Sequence, residues 1–100
     1  MMNIKVTQNE EITTLALSGR LDTTASPALQ DALMPKLGHK KHVVLDFAKL
    51  DYISSAGLRV LLLGEKTAKA QEGKQTLTNV SPDVMGVFEM TGFSTILHFE

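Results

Sequence analysis

The fold of this chain is decided by the stretch His42-Val43-Val44-Leu45-Asp46-Phe47 together with a second run, Ser54-Ser55-Ala56-Gly57-Leu58. The first run is almost continuously apolar and rich in β-branched side chains, which is typical of a central strand covered on both faces. Residues 48–53 are expected to form a short loop. From Ala56 onward, apolar residues recur at helical spacing and predict a long helix that ends near Gly73. A buried strand that leads into a long helix indicates an α/β sheet.

The N-terminal part of the chain predicts a β-hairpin. Ile4 and Val6 alternate with polar residues, residues 8–11 are a polar turn, and strand-forming residues resume at 12–17. Two short β-rich runs around a polar turn are typical of two antiparallel strands. We therefore expect an antiparallel pair at the start of the sheet.

A helix is predicted between this hairpin and the central strand. Thr23, Thr24 and Ser26 are candidate N-caps, and Pro27 suits the first helical turn. Leucine and alanine residues then recur at helical spacing. Pro35 lacks a backbone donor, so we expect it to loosen or end the last turn.

The C-terminal part of the chain predicts one more strand-helix-strand unit. Residues 75–80 form a strand, and Ser81-Pro82-Asp83 supplies an N-cap, a first-turn proline and a first-turn acid. Gly92 is the expected C-cap and residues 95–99 the last strand. The order β-β-α-β-α-β-α-β predicts a single α/β domain over residues 1–100. Its sheet is mixed but mostly parallel, with the antiparallel hairpin at one edge and helices packed against it.

Composition excludes several classes of function. The chain has 100 residues, a net charge of −1, 5% aromatic residues and no cysteine. Disulfides, Cys-ligated zinc, iron–sulfur clusters and thiol catalysis are excluded, and a near-neutral charge does not support direct nucleic-acid binding. The N-terminus lacks a signal-peptide core, and the longest apolar run, Val60-Leu61-Leu62-Leu63, is too short to span a membrane. We expect a cytoplasmic monomer.

Catalytic and metal-binding patterns are missing from the sequence. His39, His42 and His98 lack the spacing of a helical metal site, and neither a phosphate-binding glycine loop nor a nucleophile elbow is present. We expect no metal and no cofactor. An enzyme or ligand-binding domain is an alternative, but the polar groups that could form its pocket are few.

Two hydroxyls stand where the central strand leads into the long helix. One of Ser54 and Ser55 is expected to cap the helix, and the other is then displayed to solvent. A helix N-terminus accommodates anions, so a phosphate on the displayed hydroxyl is compatible with the fold.

A carboxylate follows the second strand, in Gly19-Arg20-Leu21-Asp22. If the second and third strands are neighbours, Asp22 approaches Ser54 and Ser55 at one edge of the sheet. Asp22 is then either a turn or capping carboxylate, or a surface acid that helps a partner recognise the serines.

These segments together resemble the STAS domain of bacterial anti-sigma factor antagonists. The resemblance covers essentially the whole chain and rests on residues 19–22, 43–47, 50–59, 80–82 and 88–93. It implies a switch and no enzymatic activity. The unphosphorylated domain binds an anti-sigma factor that is also a serine kinase, and this binding frees the sigma factor. The kinase phosphorylates a serine at a helix N-terminus, and a metal-dependent serine phosphatase resets the switch.

The resemblance places the phosphoacceptor on Ser55, two positions before Gly57-Leu58. Most relatives have Asp before the acceptor, whereas this chain has Ser54, which is a competing acceptor. The implied partner-binding residues surround these positions: Asp22, Thr23, Ser54, Ser55, Gly57 and Arg59. A constitutive docking subunit of a lipid-transport ATP-binding-cassette system, or a stress-signalling scaffold, is the alternative within the same fold, and there neither serine is phosphorylated.

Overall fold

A five-stranded sheet and three α-helices form the structure, a computed structural model that describes residues 2–100. The strands are β1 (Asn3–Asn9), β2 (Ile12–Leu21), β3 (His42–Ile53), β4 (Lys74–Thr78) and β5 (His98–Phe99). The α-helices are α1 (Ser26–Leu33), α2 (Ser55–Ala70) and α3 (Pro82–Thr91), and short 3₁₀ helices span Met34–Lys36 and Phe93–Thr95.

The strands lie in the sheet in their chain order, β1-β2-β3-β4-β5. β1 and β2 are antiparallel, and Asn9 pairs with Ile12 across a tight turn. The other neighbouring strands are parallel, with Leu15 beside Leu45 and Leu45 beside Leu77. The predicted mixed sheet with an N-terminal antiparallel edge is confirmed.

Within residues 2–100, helices cover one face of the sheet and leave the other uncovered. Leu15, Leu45 and the other inward-facing residues of β2 and β3 are buried, whereas Ala16 and Val44 between them are partly exposed. Strands in chain order, joined by right-handed crossovers, place all their helices on the same side. β3 is therefore the central strand, as predicted, but the expectation that both its faces are covered is wrong.

β3 is also longer than predicted, because residues 48–53 extend the strand instead of forming a loop. Leu50 pairs with Gly19 and Ile53 pairs with Leu21. The pairing continues past two register shifts, at each of which β3 contains one residue more than β2, and Gly19 of β2 adopts φ +96° beside the second shift. Such irregularities let a strand continue while it bends.

The start of α1 differs from the prediction of a hydroxyl N-cap. The N-cap residue is Ala25, and no side chain caps the helix from that position. Instead, the Asp22 carboxylate accepts a 2.9 Å hydrogen bond from the Ala25 N–H, and the Ser26 hydroxyl donates to the Asp22 carbonyl at 2.7 Å. The turn before the helix satisfies these groups, so neither Thr23 nor Thr24 is needed as a cap.

The other helix ends follow the sequence closely. α1 gives way to a 3₁₀ turn that contains Pro35. Ser81 caps α3 by accepting from the Val84 N–H at 3.2 Å, and Gly92 ends it at φ +82°. The last strand is shorter than predicted, because a 3₁₀ turn occupies Phe93–Thr95. Phe88 of α3 packs between two other aromatic rings. Its ring centroid lies 6.2 Å from that of Phe47 and 5.3 Å from that of Phe99.

Candidate functional site

The carboxyl ends of β2 and β3 meet at one edge of the sheet and bring the predicted site residues together. Leu21 pairs with Ile53, and the Ser54 N–H donates a 2.9 Å hydrogen bond to the Leu21 carbonyl. Asp22 follows β2 and Ser54 follows β3 at this edge. The expected juxtaposition of the two segments is therefore present in the structure.

Ser54 is the residue that caps α2. Its backbone is extended, with φ −97° and ψ 171°, and its hydroxyl oxygen accepts from the Gly57 N–H at 3.2 Å. This bond satisfies one of the amide groups that a helix N-terminus otherwise leaves free. The Ser54 side chain is thus engaged by the helix and only partly exposed.

Ser55 is the first residue of α2, and its side chain is exposed. No acidic residue lies in the first turn of the helix. The helix N-terminus carries partial positive charge, which favours an anion at this position. The two alternatives that the sequence left open are thereby resolved: Ser54 caps, and Ser55 is displayed.

Gly57 allows the start of α2 to lie close to the strand ends. A Cβ atom at this position would be 2.7 Å from Cγ of Leu21 and 3.1 Å from Cγ1 of Ile53. Gly57 is itself buried. Gly57 therefore lies beneath the surface of the site, whereas Thr23, Ser55 and Arg59 are exposed on that surface.

Asp22 is half-buried, and its carboxylate accepts the hydrogen bond from Ala25 described above. This geometry is that of a turn carboxylate, which was one of the two interpretations of the residue. Its position beside the Ser54 segment leaves its charge close to the start of α2.

Sequence reasoning missed a groove between α1 and α2 beside this edge. The groove has a volume of about 460 Å³ and is lined by Thr23, Ser26, Pro27, Gln30, Ala56, Arg59, Val60, Leu62, Leu63 and Lys66. The sequence contains one signal for this groove. Ser55, Arg59 and Lys66 belong to a series of α2 residues spaced three or four apart, which predicts that they lie on one side of the helix.

A cation–π contact between Arg20 and Tyr52 was also missed. The guanidinium carbon of Arg20 lies 4.0 Å from the ring centroid of Tyr52, which is 39% exposed. These residues are register partners one position before Leu21 and Ile53. Because side chains alternate along a strand, the pair lies on the opposite face from those buried residues.

His42 and His98 make separate contacts. His42 Nε2 lies 3.1 Å from the Thr76 hydroxyl, and His98 Nε2 lies 3.2 Å from Oε2 of Glu65. Within residues 2–100, no three His, Cys, Asp or Glu side chains are grouped so that they could hold a metal ion. In that same part of the chain, every helix is too short or too polar to cross a membrane.

Two proteins with similar sequences are anti-sigma factor antagonists by name. A candidate anti-sigma factor antagonist of Bordetella bronchiseptica, BtrV, is 49% identical over 57 residues, which are 57% of this chain and 49% of that protein. The match thus spans about half the length of BtrV. The anti-sigma-B factor antagonist of Bacillus subtilis is 28% identical over 96% of this chain and 88% of its own length.

Solved structures share the fold. Two structures of the Bacillus protein SpoIIAA, one unphosphorylated and one phosphorylated, each superpose with a TM-score of 0.75 over 98% of this chain. The matched regions cover 87% of the unphosphorylated SpoIIAA chain and 91% of the phosphorylated one, at 18% and 20% sequence identity. The STAS domain family matches this chain over residues 3–100. The chain therefore belongs to the STAS domain family.

Proposed function

We propose that this STAS domain, acting as one unit over residues 1–100, is an anti-sigma factor antagonist in the cytoplasm. In this proposal the unphosphorylated domain binds an anti-sigma factor with serine kinase activity and so releases the sigma factor. Phosphorylation of Ser55 ends the complex, and a metal-dependent serine phosphatase restores it. The observation that carries the proposal is the exposed Ser55 hydroxyl at the N-terminus of α2, next to a serine that already caps the helix.

The local geometry favours Ser55 over Ser54 as the acceptor. The Ser54 oxygen is held by the Gly57 N–H, so a phosphoryl group there would disturb the cap. A phosphoryl group on Ser55 extends into solvent from the first turn, where the helix dipole stabilises negative charge. The fold can therefore remain intact while the surface that a partner meets changes.

Charge explains why one phosphate would end the complex. A phosphoserine adds about −1.5 to −2 charges, against a net charge of −1 for the whole chain. Asp22 and any partner carboxylate near α2 would then face a like charge, which can cost several kcal/mol at an interface. A loss of that size lowers affinity by about a hundredfold or more.

The named relatives support the same role. The Bacillus subtilis relative that matches most of this chain is called an anti-sigma-B factor antagonist. SpoIIAA, which shares the fold, is itself described as an anti-sigma factor antagonist with a phosphorylated form. The proposed contact surface of this chain contains Asp22, Thr23, Ser54, Ser55 and Arg59, with Gly57 supporting it.

Phosphosite mapping tests the proposal. The chain is incubated with ATP and its cognate anti-sigma factor, and the products are analysed by tandem mass spectrometry. We expect one phosphate on Ser55, which Ser55→Ala abolishes and Ser54→Ala retains. A phosphate on Ser54 alone would refute the choice of acceptor. An unmodified chain that co-purifies with a transporter ATPase would favour the docking-subunit alternative.

A further inference from the structure

The groove between α1 and α2 has a largely apolar surface, interrupted by polar side chains such as Gln30, and its lining includes Ala56, the neighbour of Ser55 in the chain. Pro27 of α1 and Val60 of α2 line it, together with Leu63, which remains 41% exposed. Leu63 therefore adds exposed apolar area to a concave surface that already contains apolar side chains.

The charged side chains that line the groove are both cations. Arg59 and Lys66 are exposed, and no acidic residue of the described chain, 2–100, contributes to the lining. They are seven residues apart on α2, which separates them by two helical turns or about 10 Å along the axis. The groove therefore presents a largely apolar surface with two positive charges at separate points.

We propose that this groove binds an amphipathic helical segment of the anti-sigma factor with acidic residues two turns apart. This inference rests on the proposed function and names the chemistry of its partner. A helix lying in a groove buries an apolar stripe and places charges at its borders. Two cations about 10 Å apart complement two carboxylates on such a segment, whereas a single anionic lipid headgroup would meet only one of them.

The groove is connected to Ser55 through one stripe of α2. Ser55, Arg59, Leu63 and Lys66 follow one another at spacings of three or four residues, so they lie along the same side of the helix. A phosphate on Ser55 is one turn from Arg59 and can form a charge-assisted hydrogen bond with its guanidinium. Phosphorylation thereby withdraws Arg59 from an acidic partner and repels that partner from the end of the groove.

Calorimetric titration with the cognate anti-sigma factor tests the groove. We expect Arg59→Glu combined with Lys66→Glu to lower affinity by about tenfold or more and to weaken its dependence on salt. Lys40→Glu combined with Lys41→Glu is the matched control, because these exposed lysines precede β3 at the other end of the strand. Circular dichroism and thermal unfolding verify that each variant is folded.

An apolar pair of variants separates groove contacts from charge effects. We expect Leu63→Ala to weaken binding, whereas Met90→Ala on α3, where the side chain is 81% exposed, leaves binding unchanged. If the wild-type chain binds and the groove variants bind equally well, the groove inference is wrong and Arg59 is not a contact residue, while the proposed role as an anti-sigma factor antagonist stands. If the wild-type chain does not bind, both fail.

A titration with dodecanoate tests the alternative occupant. If dodecanoate binds the wild-type chain and loses affinity in the Arg59→Glu/Lys66→Glu variant, while the same variant leaves anti-sigma factor binding unchanged, the groove is a lipid site. That result would overturn the inference. The absence of dodecanoate binding, together with a loss of anti-sigma factor affinity in the variant, supports it.

Discussion

The backbone N–H of Ser54 donates a 2.9 Å hydrogen bond to the carbonyl of Leu21, and this bond joins the two loops that form the candidate site. It continues the pairing of Leu21 with Ile53 by one residue beyond β3. The same arrangement places Ser54 where its hydroxyl can cap α2. Strand pairing thus determines which serine is engaged by the helix and which is displayed.

The N-cap can be tested by its effect on stability. Ser54→Ala removes the bond to the Gly57 N–H and should lower the free energy of unfolding by about 1 kcal/mol. Ser55→Ala is the control and should stay within about 0.5 kcal/mol of wild type, because Ser55 is exposed and Ala is a good helix former. Urea unfolding followed by circular dichroism measures both. Equal effects of the two variants would contradict the assignment of the cap.

The switch can be tested with variants of Ser55 that mimic its two states. Ser55→Asp places a permanent negative charge beside Asp22 and should weaken anti-sigma factor binding by about tenfold or more. Ser55→Ala should bind as wild type does and should not respond to ATP. Isothermal titration calorimetry gives the affinities. Wild-type affinity in Ser55→Asp would rule out the charge mechanism.

The close approach of α2 to the strand ends predicts a steric cost at Gly57. Gly57→Ala brings a Cβ to 2.7 Å from Cγ of Leu21, so we expect a loss of about 1–3 kcal/mol in stability. Gly86→Ala in α3 is the matched control, because its Cβ would meet no atom within 4 Å. That substitution should stabilise the chain by up to about 1 kcal/mol. Thermal unfolding of both variants decides whether packing or helix propensity dominates at Gly57.

The buried carboxylate of Glu65 predicts an energetic coupling to His98. The Glu65 side chain is 3% exposed, and its Oε2 is 3.2 Å from His98 Nε2. His98→Ala removes the partner of a buried carboxylate and should cost about 1–3 kcal/mol. Glu65→Met with His98→Ala should recover part of that loss, because both polar partners are then replaced.

An exposed ion pair provides the control for the Glu65–His98 experiment, and a double-mutant cycle measures the coupling free energy. The ion pair of Lys74 and Glu100 spans 3.9 Å between side chains that are 54% and 64% exposed. Lys74→Ala should therefore change the unfolding free energy by less than about 1 kcal/mol. A double-mutant cycle for Glu65 and His98, measured by urea unfolding, gives the coupling directly, and additive effects would show that the pair contributes nothing.

Local signals in the sequence predicted much of the fold. Ser81 and Gly92 end α3 as expected, because caps depend on a few neighbouring residues. The prediction failed at residues 48–53 and at the start of α1. Strand β3 continues through residues 48–53 only because β2 provides a hydrogen-bonding partner. At the start of α1, the Asp22 carboxylate stabilises the turn through a contact that composition does not reveal.

The sequence by itself determined that a helix begins at the two serines and that one hydroxyl caps it, since a hydroxyl N-cap and the helical spacing after Ala56 are local properties. Only the tertiary structure decided that Ser54 is the cap and Ser55 the displayed residue, because the pairing of β3 with β2 sets where the strand stops. The groove also depended on tertiary structure. Its walls come from α1 and α2, which are separated by an entire strand in the chain and meet only when their crossovers share one face of the sheet.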